Sequence, residues 1–272
     1  MKRLMCFFFL FIFIFSIDCR ASQLTLVQGS TRRVLTDAQL SENLHLNRLE
    51  VDDPVYHKHK HYAGYWLSDI LAYAGMHLDQ NTAITFTALD GFKAGIDTND
   101  IMRSGAKAFI ATQDMDNKEG WEEFQDGKEL VSPGPYYLVW QIPTQGVPSG
   151  IKLQWPYQIA EISIRNSDET EQILFPESYI KPEPVTRGYK VFTQNCMTCH
   201  SINLQGGAVG PELNVPKNIT EYESRDFLKQ FISDPSSFRA RSRMPSFNKI
   251  LTPQEIEDVL NYLAWMEKHK IP

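Results

Sequence analysis

Cys196, Cys199 and His200 form a C-x-x-C-H run, with Met197 and Thr198 between the two thiols. Cysteines one turn of chain apart can each add across a vinyl group of the same porphyrin. A histidine directly after the second thiol then lies under the iron and offers an imidazole nitrogen as axial ligand. The spacing reads as covalent attachment of one haem c through Cys196 and Cys199, with His200 as proximal iron ligand. A structural zinc site needs four ligands, and no second cysteine pair exists to supply them. A dithiol redox motif would be followed by a thioredoxin-like βαβ pattern, which this sequence lacks.

The rest of the chain must carry this motif to an oxidising compartment and build walls around it. Lys2 and Arg3 precede an apolar run over residues 4–17, and Cys19-Arg20-Ala21 offers a small residue for cleavage. That is the layout of a secretory signal peptide over residues 1–21. The run is shorter than the roughly 18 apolar residues of a membrane span, so no stable span is expected after cleavage. The expected location is the periplasm. Charge divides unevenly: residues 22–182 hold 13 Lys and Arg against 22 Asp and Glu, residues 183–272 hold 11 against 10. An acidic first part and a near-neutral second part argue against nucleic acid as partner.

Pro176, Pro182 and Pro184 mark an extended linker over residues 176–184. Beyond it, helices are expected over residues 187–195, over 224–233 and after Thr252, where Pro253 and Glu255 complete an N-terminal signature. Before it, alternating apolar runs predict strands over residues 24–27, 83–88, 106–111, 136–140 and 157–164. One helix is expected over residues 65–74, ended by Gly75. Mixed strands with few helices indicate an α+β domain over residues 22–182.

Residues 183–272 resemble a class I cytochrome c domain, an all-α fold. Gly188 and Phe192, the C-x-x-C-H run, Gly210-Pro211 with Leu213, Met244-Pro245 and the terminal helix with Tyr262 carry the likeness. The resemblance implies that Gly188 and Tyr262 meet where the first and last helices cross. It implies that the Pro211 carbonyl accepts a hydrogen bond from the proximal imidazole. It also implies that Met244, 44 residues after His200, is the distal iron ligand. Met266 and His269 are the other downstream donors, one deep in a helix and one at a frayed end. Arg239, Arg241 and Arg243 alternate just before Met244; they could pair haem propionates, dock an acidic partner, or simply form a solvated loop.

The first domain resembles the molybdopterin-binding domain of the sulfite oxidase superfamily, on residues 62–75, 84–92 and 132–140. That superfamily holds molybdenum through a cysteine thiolate, and no cysteine occurs between Cys19 and Cys196. Paired arginines before the apolar run, used for folded export, are also absent. The expectation is a cofactor-free fold serving as scaffold or docking surface, with no molybdopterin. His57, His59 and His61 alternate and could line one face of a strand as a copper, zinc or nickel site, with solvent-facing histidines as the plainer reading. Asp90, Asp97 and Asp100 read as turn formers.

Together these features describe an exported electron-transfer cytochrome with protein redox donor and acceptor in its own compartment. The alternative is a cytochrome-fused oxidoreductase whose first domain binds a substrate or metal and passes electrons to the haem.

Overall fold

The computed structural model describes residues 22–127, 129–176 and 182–271. The expected signal peptide and residues 177–181 of the expected linker lie outside the described residues.

The first region is a mixed α/β unit of two sheets. In chain order its elements are β1 (Gln23–Gln28), β2 (Thr31–Thr36), α1 (Asp37–Asn43), β3 (Asn47–Asp53), β4 (Lys58–Trp66) and α2 (Leu67–Ala74). There follow β5 (Thr82–Ala88), β6 (Lys93–Asp97), α3 (Thr98–Ser104), β7 (Lys107–Asp114), β8 (Phe124–Asp126), β9 (Glu129–Val131), β10 (Tyr137–Gln141), β11 (Ile159–Asn166) and α4 (Ser167–Leu174). One sheet has the order β2-β1-β11-β5-β6, and only β1 and β11 run parallel. The other has the order β10-β7-β4-β3 and is antiparallel throughout. Alternation places Leu24, Leu26, Ile84, Phe86, Ile162 and Ile164 in one shared core with α2.

The five expected strands all form, while α2 is shorter than expected. Tyr65 and Trp66 finish β4 instead of opening a helix, because Tyr65 pairs with Ile110 and Trp66 with Phe109. Gly75 ends α2 in the left-handed conformation at φ 72°. β2, β3, β6, β8 and β9 were not among the expected strands, and β4 was considered only as a strand carrying the histidines; it begins Lys58, His59, Lys60, His61, with no apolar alternation to read. Inside that run Lys60 is fully buried, bonded to Asp114 at 2.7 Å and Glu122 at 3.0 Å.

The second region is helical: α5 (Glu183–Asn195), α6 (Arg225–Ser233), α7 (Pro235–Phe238) and α8 (Pro253–Met266), with a two-residue ladder of β12 (Ser201–Ile202) and β13 (Gln205–Gly206). α5 starts at Glu183, four residues earlier than expected. Pro184 lies in its first turn, where a missing N–H costs nothing, so that proline opens the helix instead of extending a linker. Thr252 caps α8 through a complete capping box with Glu255. α5 and α8 cross at Gly188. A Cβ there would overlap the Asp258 carbonyl and lie 2.9 Å from Tyr262 Cβ. Leu174 and Phe175, from the end of the first region, are buried in this second core, and the Tyr262 hydroxyl donates to the Leu174 carbonyl at 2.8 Å.

At the same crossing Arg187 grips the buried Asp258 carboxylate through two bonds of 2.7 and 3.0 Å. The guanidinium holds that carboxyl below its ordinary range, against the effect of burial. A depressed carboxylate pKa contributes stability above the unfolded value, about 3.9. That contribution disappears as the pH falls through the lower folded value. Asp258→Asn should therefore flatten the loss of stability below about pH 4, read from urea midpoints across pH.

Candidate haem site

The C-x-x-C-H run sits on the turn that leaves α5. The Cys196 amide still donates to the Phe192 carbonyl at 2.8 Å, and the His200 amide folds back to the Cys196 carbonyl at 2.9 Å. One tight turn thus carries both thiols and the imidazole. Cys196 and Cys199 are unbridged and partly buried. Burial pushes the Cys196 thiol up to about 12, with Cys199 adding to the shift. Cys199 is also raised by burial; Thr198 and Arg243 act against that shift and Asp90 with it. A redox C-x-x-C pair holds its attacking thiol below the ordinary value, the opposite direction from both thiols here.

His200 presents a defined tautomer. Its Nδ1 lies 2.9 Å from the Pro211 carbonyl oxygen. A carbonyl can only accept, so Nδ1 carries the hydrogen and Nε2 of the neutral ring keeps its lone pair. Burial lowers the imidazole pKa, with the Pro211 bond working the other way. The ring is thus held neutral with Nε2 available as a metal donor. Gly210 passes so close that a Cβ there would lie 2.8 Å from Nε2 and 2.7 Å from Nδ1. Any side chain at this position would push the ring aside.

Met244 lies in the loop between α7 and α8, partly buried against the second core that also takes in Cys196 and Met197. Its amide donates to Ser242 Oγ at 3.2 Å, and the following residues are tied to α6. Ser246 Oγ bonds Asp234 at 3.1 Å, and the Phe247 amide bonds the Ile232 carbonyl at 3.2 Å. Met266 is fully buried in α8, and His269 Nδ1 bonds the Trp265 carbonyl at 2.7 Å. The three loop arginines have separate surroundings. Arg239 lies over the Phe231 ring at 5.4 Å, Arg243 pairs with Asp90 at 3.2 Å, and Arg241 is exposed.

That last pair belongs to a contact that sequence reasoning missed. The turn between β5 and β6 is bonded straight onto the motif loop. The Lys93 amide donates to the Thr198 carbonyl, and the Ala208 amide to the Gly91 carbonyl, each at 2.9 Å. Arg165 adds a bond to Gln205 at 3.0 Å. Asp90 does form a turn, accepting from the Phe92 amide at 3.0 Å. Asp97 caps α3, and Asp100 pairs with Arg103 at 2.8 Å. Backbone bonds of this kind leave no side-chain signature, so only the Asp90-Gly91 turn itself was legible.

A cytochrome c family model matches residues 185–267. The chain is 35% identical over 106 residues to a nitric oxide reductase subunit of Stutzerimonas stutzeri, covering 36% of this chain and 70% of that protein. It is 33% identical over 99 residues to cytochrome c6 of Gloeothece citriformis, covering 34% of this chain and 82% of the relative. The chain belongs to the cytochrome c family. Cytochromes of this kind carry covalently bound haem c, and nothing in the matches indicates molybdopterin. A cytochrome c6 of Pyropia tenera matches at 31% over 78 residues, covering 28% of this chain and 85% of that protein. Each of these likenesses covers about a third of the chain, and the residues matched by the family model all lie in the helical second region.

The residues present fit a haem. Two unbridged thiols and a neutral imidazole with its Nε2 lone pair free share one turn, beside a glycine whose missing Cβ leaves room for the ring. The cytochrome works by electron transfer with redox partners, and among the described residues no helix is long and apolar enough to cross a membrane.

Proposed function

We propose that this cytochrome is exported to the periplasm and passes single electrons through one haem c, held covalently by Cys196 and Cys199 and ligated by His200 and Met244. The bond from His200 Nδ1 to Pro211 supports the reading best, because it leaves Nε2 as the donor directly after the thiol pair. When bound, the haem supplies a one-electron iron couple. The chain's own residues do the rest. Cys196 and Cys199 anchor the ring, and the Pro211 carbonyl fixes the proximal tautomer and makes Nε2 more basic. Met244 would supply a soft thioether to the iron, a donor that favours the reduced state and competes with small ligands. Phe192, Leu213 and Phe247 keep water from the interior.

In this reading residues 22–182 are a docking or scaffold module, and residues 183–272 form the haem domain. The module would use a fold of the sulfite oxidase type without its pterin, there being no cysteine between Cys19 and Cys196 to hold molybdenum. Its turn at residues 90–93 is bonded to the haem-motif loop, which favours a role at the electron port. The match to a nitric oxide reductase subunit supports a place as the cytochrome component of a larger oxidoreductase.

Potentiometric titration of the purified chain tests the proposal. A single one-electron transition with no carbon monoxide adduct in the reduced state is expected. Ready binding of carbon monoxide would point to a sensor or catalyst with an open iron. Elemental analysis of the same sample should show iron and no stoichiometric molybdenum; molybdenum would make the first region an enzyme.

A further inference from the structure

Glu50, His59 and His61 meet on the outer face of the β3–β4 hairpin, at the edge of the four-stranded sheet. Register produces the meeting. Glu50 lies opposite His61 and Asp52 opposite His59, and alternation sends all four side chains to one face. Lys60, between the histidines, points the other way into the core. His57 does not take part: it sits before β4 in the turn, at φ 54°. The three-histidine face considered from sequence is thus replaced by two histidines and a glutamate from the neighbouring strand.

The orientation of the rings is what suggests a ligand. His59 Nδ1 lies 2.9 Å from Asp52 Oδ1, and His61 Nδ1 lies 2.9 Å from Asp116 Oδ1. A carboxylate only accepts, so each Nδ1 carries a hydrogen and each Nε2 faces Glu50; the same rule puts a proton on His59 Nε2, and a metal ion would bind there by displacing that proton. His59 Nε2 is 2.6 Å and His61 Nε2 3.9 Å from the two Glu50 oxygens. Carboxylate-held imidazoles with converging Nε2 atoms are how proteins orient histidines onto zinc. Ligands of a tetrahedral ion at about 2.0–2.1 Å stand roughly 3.4 Å apart, so small side-chain rotations close the set. The three groups lie within 4.8 Å of one another and are about half exposed, which leaves a fourth position to solvent. Glu50, Asp52 and Asp116 bring three negative charges to one spot.

We propose that Glu50, His59 and His61 bind one divalent transition-metal ion of the zinc class, with water as fourth ligand and Asp52 and Asp116 orienting the rings. The site is independent of the haem and pins the edge strand β3 to β4. The alternative occupant of this geometry is a proton, with the cluster serving only as a surface ion-pair network.

Zinc chloride titrated calorimetrically into the untagged, haem-loaded chain tests this. One ion per chain is expected, together with a rise in the temperature at which the first region unfolds. His59→Ala and His61→Ala should each weaken zinc binding by about 100-fold or more, and Asp116→Asn by about 10- to 100-fold. His57→Ala should leave the affinity unchanged. All these side chains are surface-exposed, so the variants keep the core intact, and unchanged circular dichroism checks this. No zinc uptake by the wild-type chain, or equal affinity in the His59→Ala/His61→Ala double variant, overturns the proposal.

Discussion

Replacing Met244 by alanine is expected to lower the haem reduction potential by on the order of 0.1 V or more, part of the roughly 0.8 V that axial ligands span. The expectation rests on what the thioether does in the proposed site. A soft sulfur donor favours ferrous iron, and its loss leaves water or nothing in its place. The oxidised protein should also lose its methionine-sulfur charge-transfer band, and the reduced protein should begin to bind carbon monoxide. The substitution removes a partly buried side chain from a loop tied to α6 by Ser246 and Phe247, so the fold should persist. A band that survives in Met244→Ala would assign the distal position to another donor, with Met266 and His269 next in line.

The largest stability effect is expected at Gly188. Valine there would drive its Cβ into the Asp258 carbonyl and toward Tyr262 Cβ. Neither neighbour can yield cheaply. The carbonyl belongs to the backbone of α8, and Tyr262 is fully buried and bonded to Leu174. Overpacking ordinarily costs about 1–3 kcal/mol, and a backbone clash at a helix crossing belongs at or above the top of that range. That is a large part of the total for a domain whose stability is about 5–15 kcal/mol. Gly188→Val should give a haem region that unfolds at markedly lower urea concentration or fails to accumulate. Gly188→Ala, which carries the same Cβ, should show most of the same defect; a variant as stable as wild type would contradict the crossing.

Local chemistry made the haem motif legible. Cysteine spacing, the following histidine, the Thr252–Glu255 capping box and the Gly75 stop are signals carried within a few residues. Strands dense in charged residues or short in apolar ones were not legible. β4 opens Lys58-His59-Lys60-His61, and nothing local says that Lys60 is buried on carboxylates from the end of β7 and the loop after it. The metal cluster was half visible for the same reason. Alternating histidines are a local pattern, but Glu50 joins them only through the register of β3 on β4. The contact of residues 90–93 with the motif loop was invisible because backbone groups make it. Leu174 and Phe175 lie before the expected boundary at residue 182 yet inside the second core, and no local pattern signals that packing.

Mass spectrometry of the denatured chain, after acid and organic extraction of loosely held pigment, bears most directly on the proposal. One haem should stay on each polypeptide and map to the peptide containing Cys196 and Cys199, and none should remain in a variant with both replaced by serine. A denatured wild-type chain free of haem would contradict the proposed attachment and the electron-transfer role built on it.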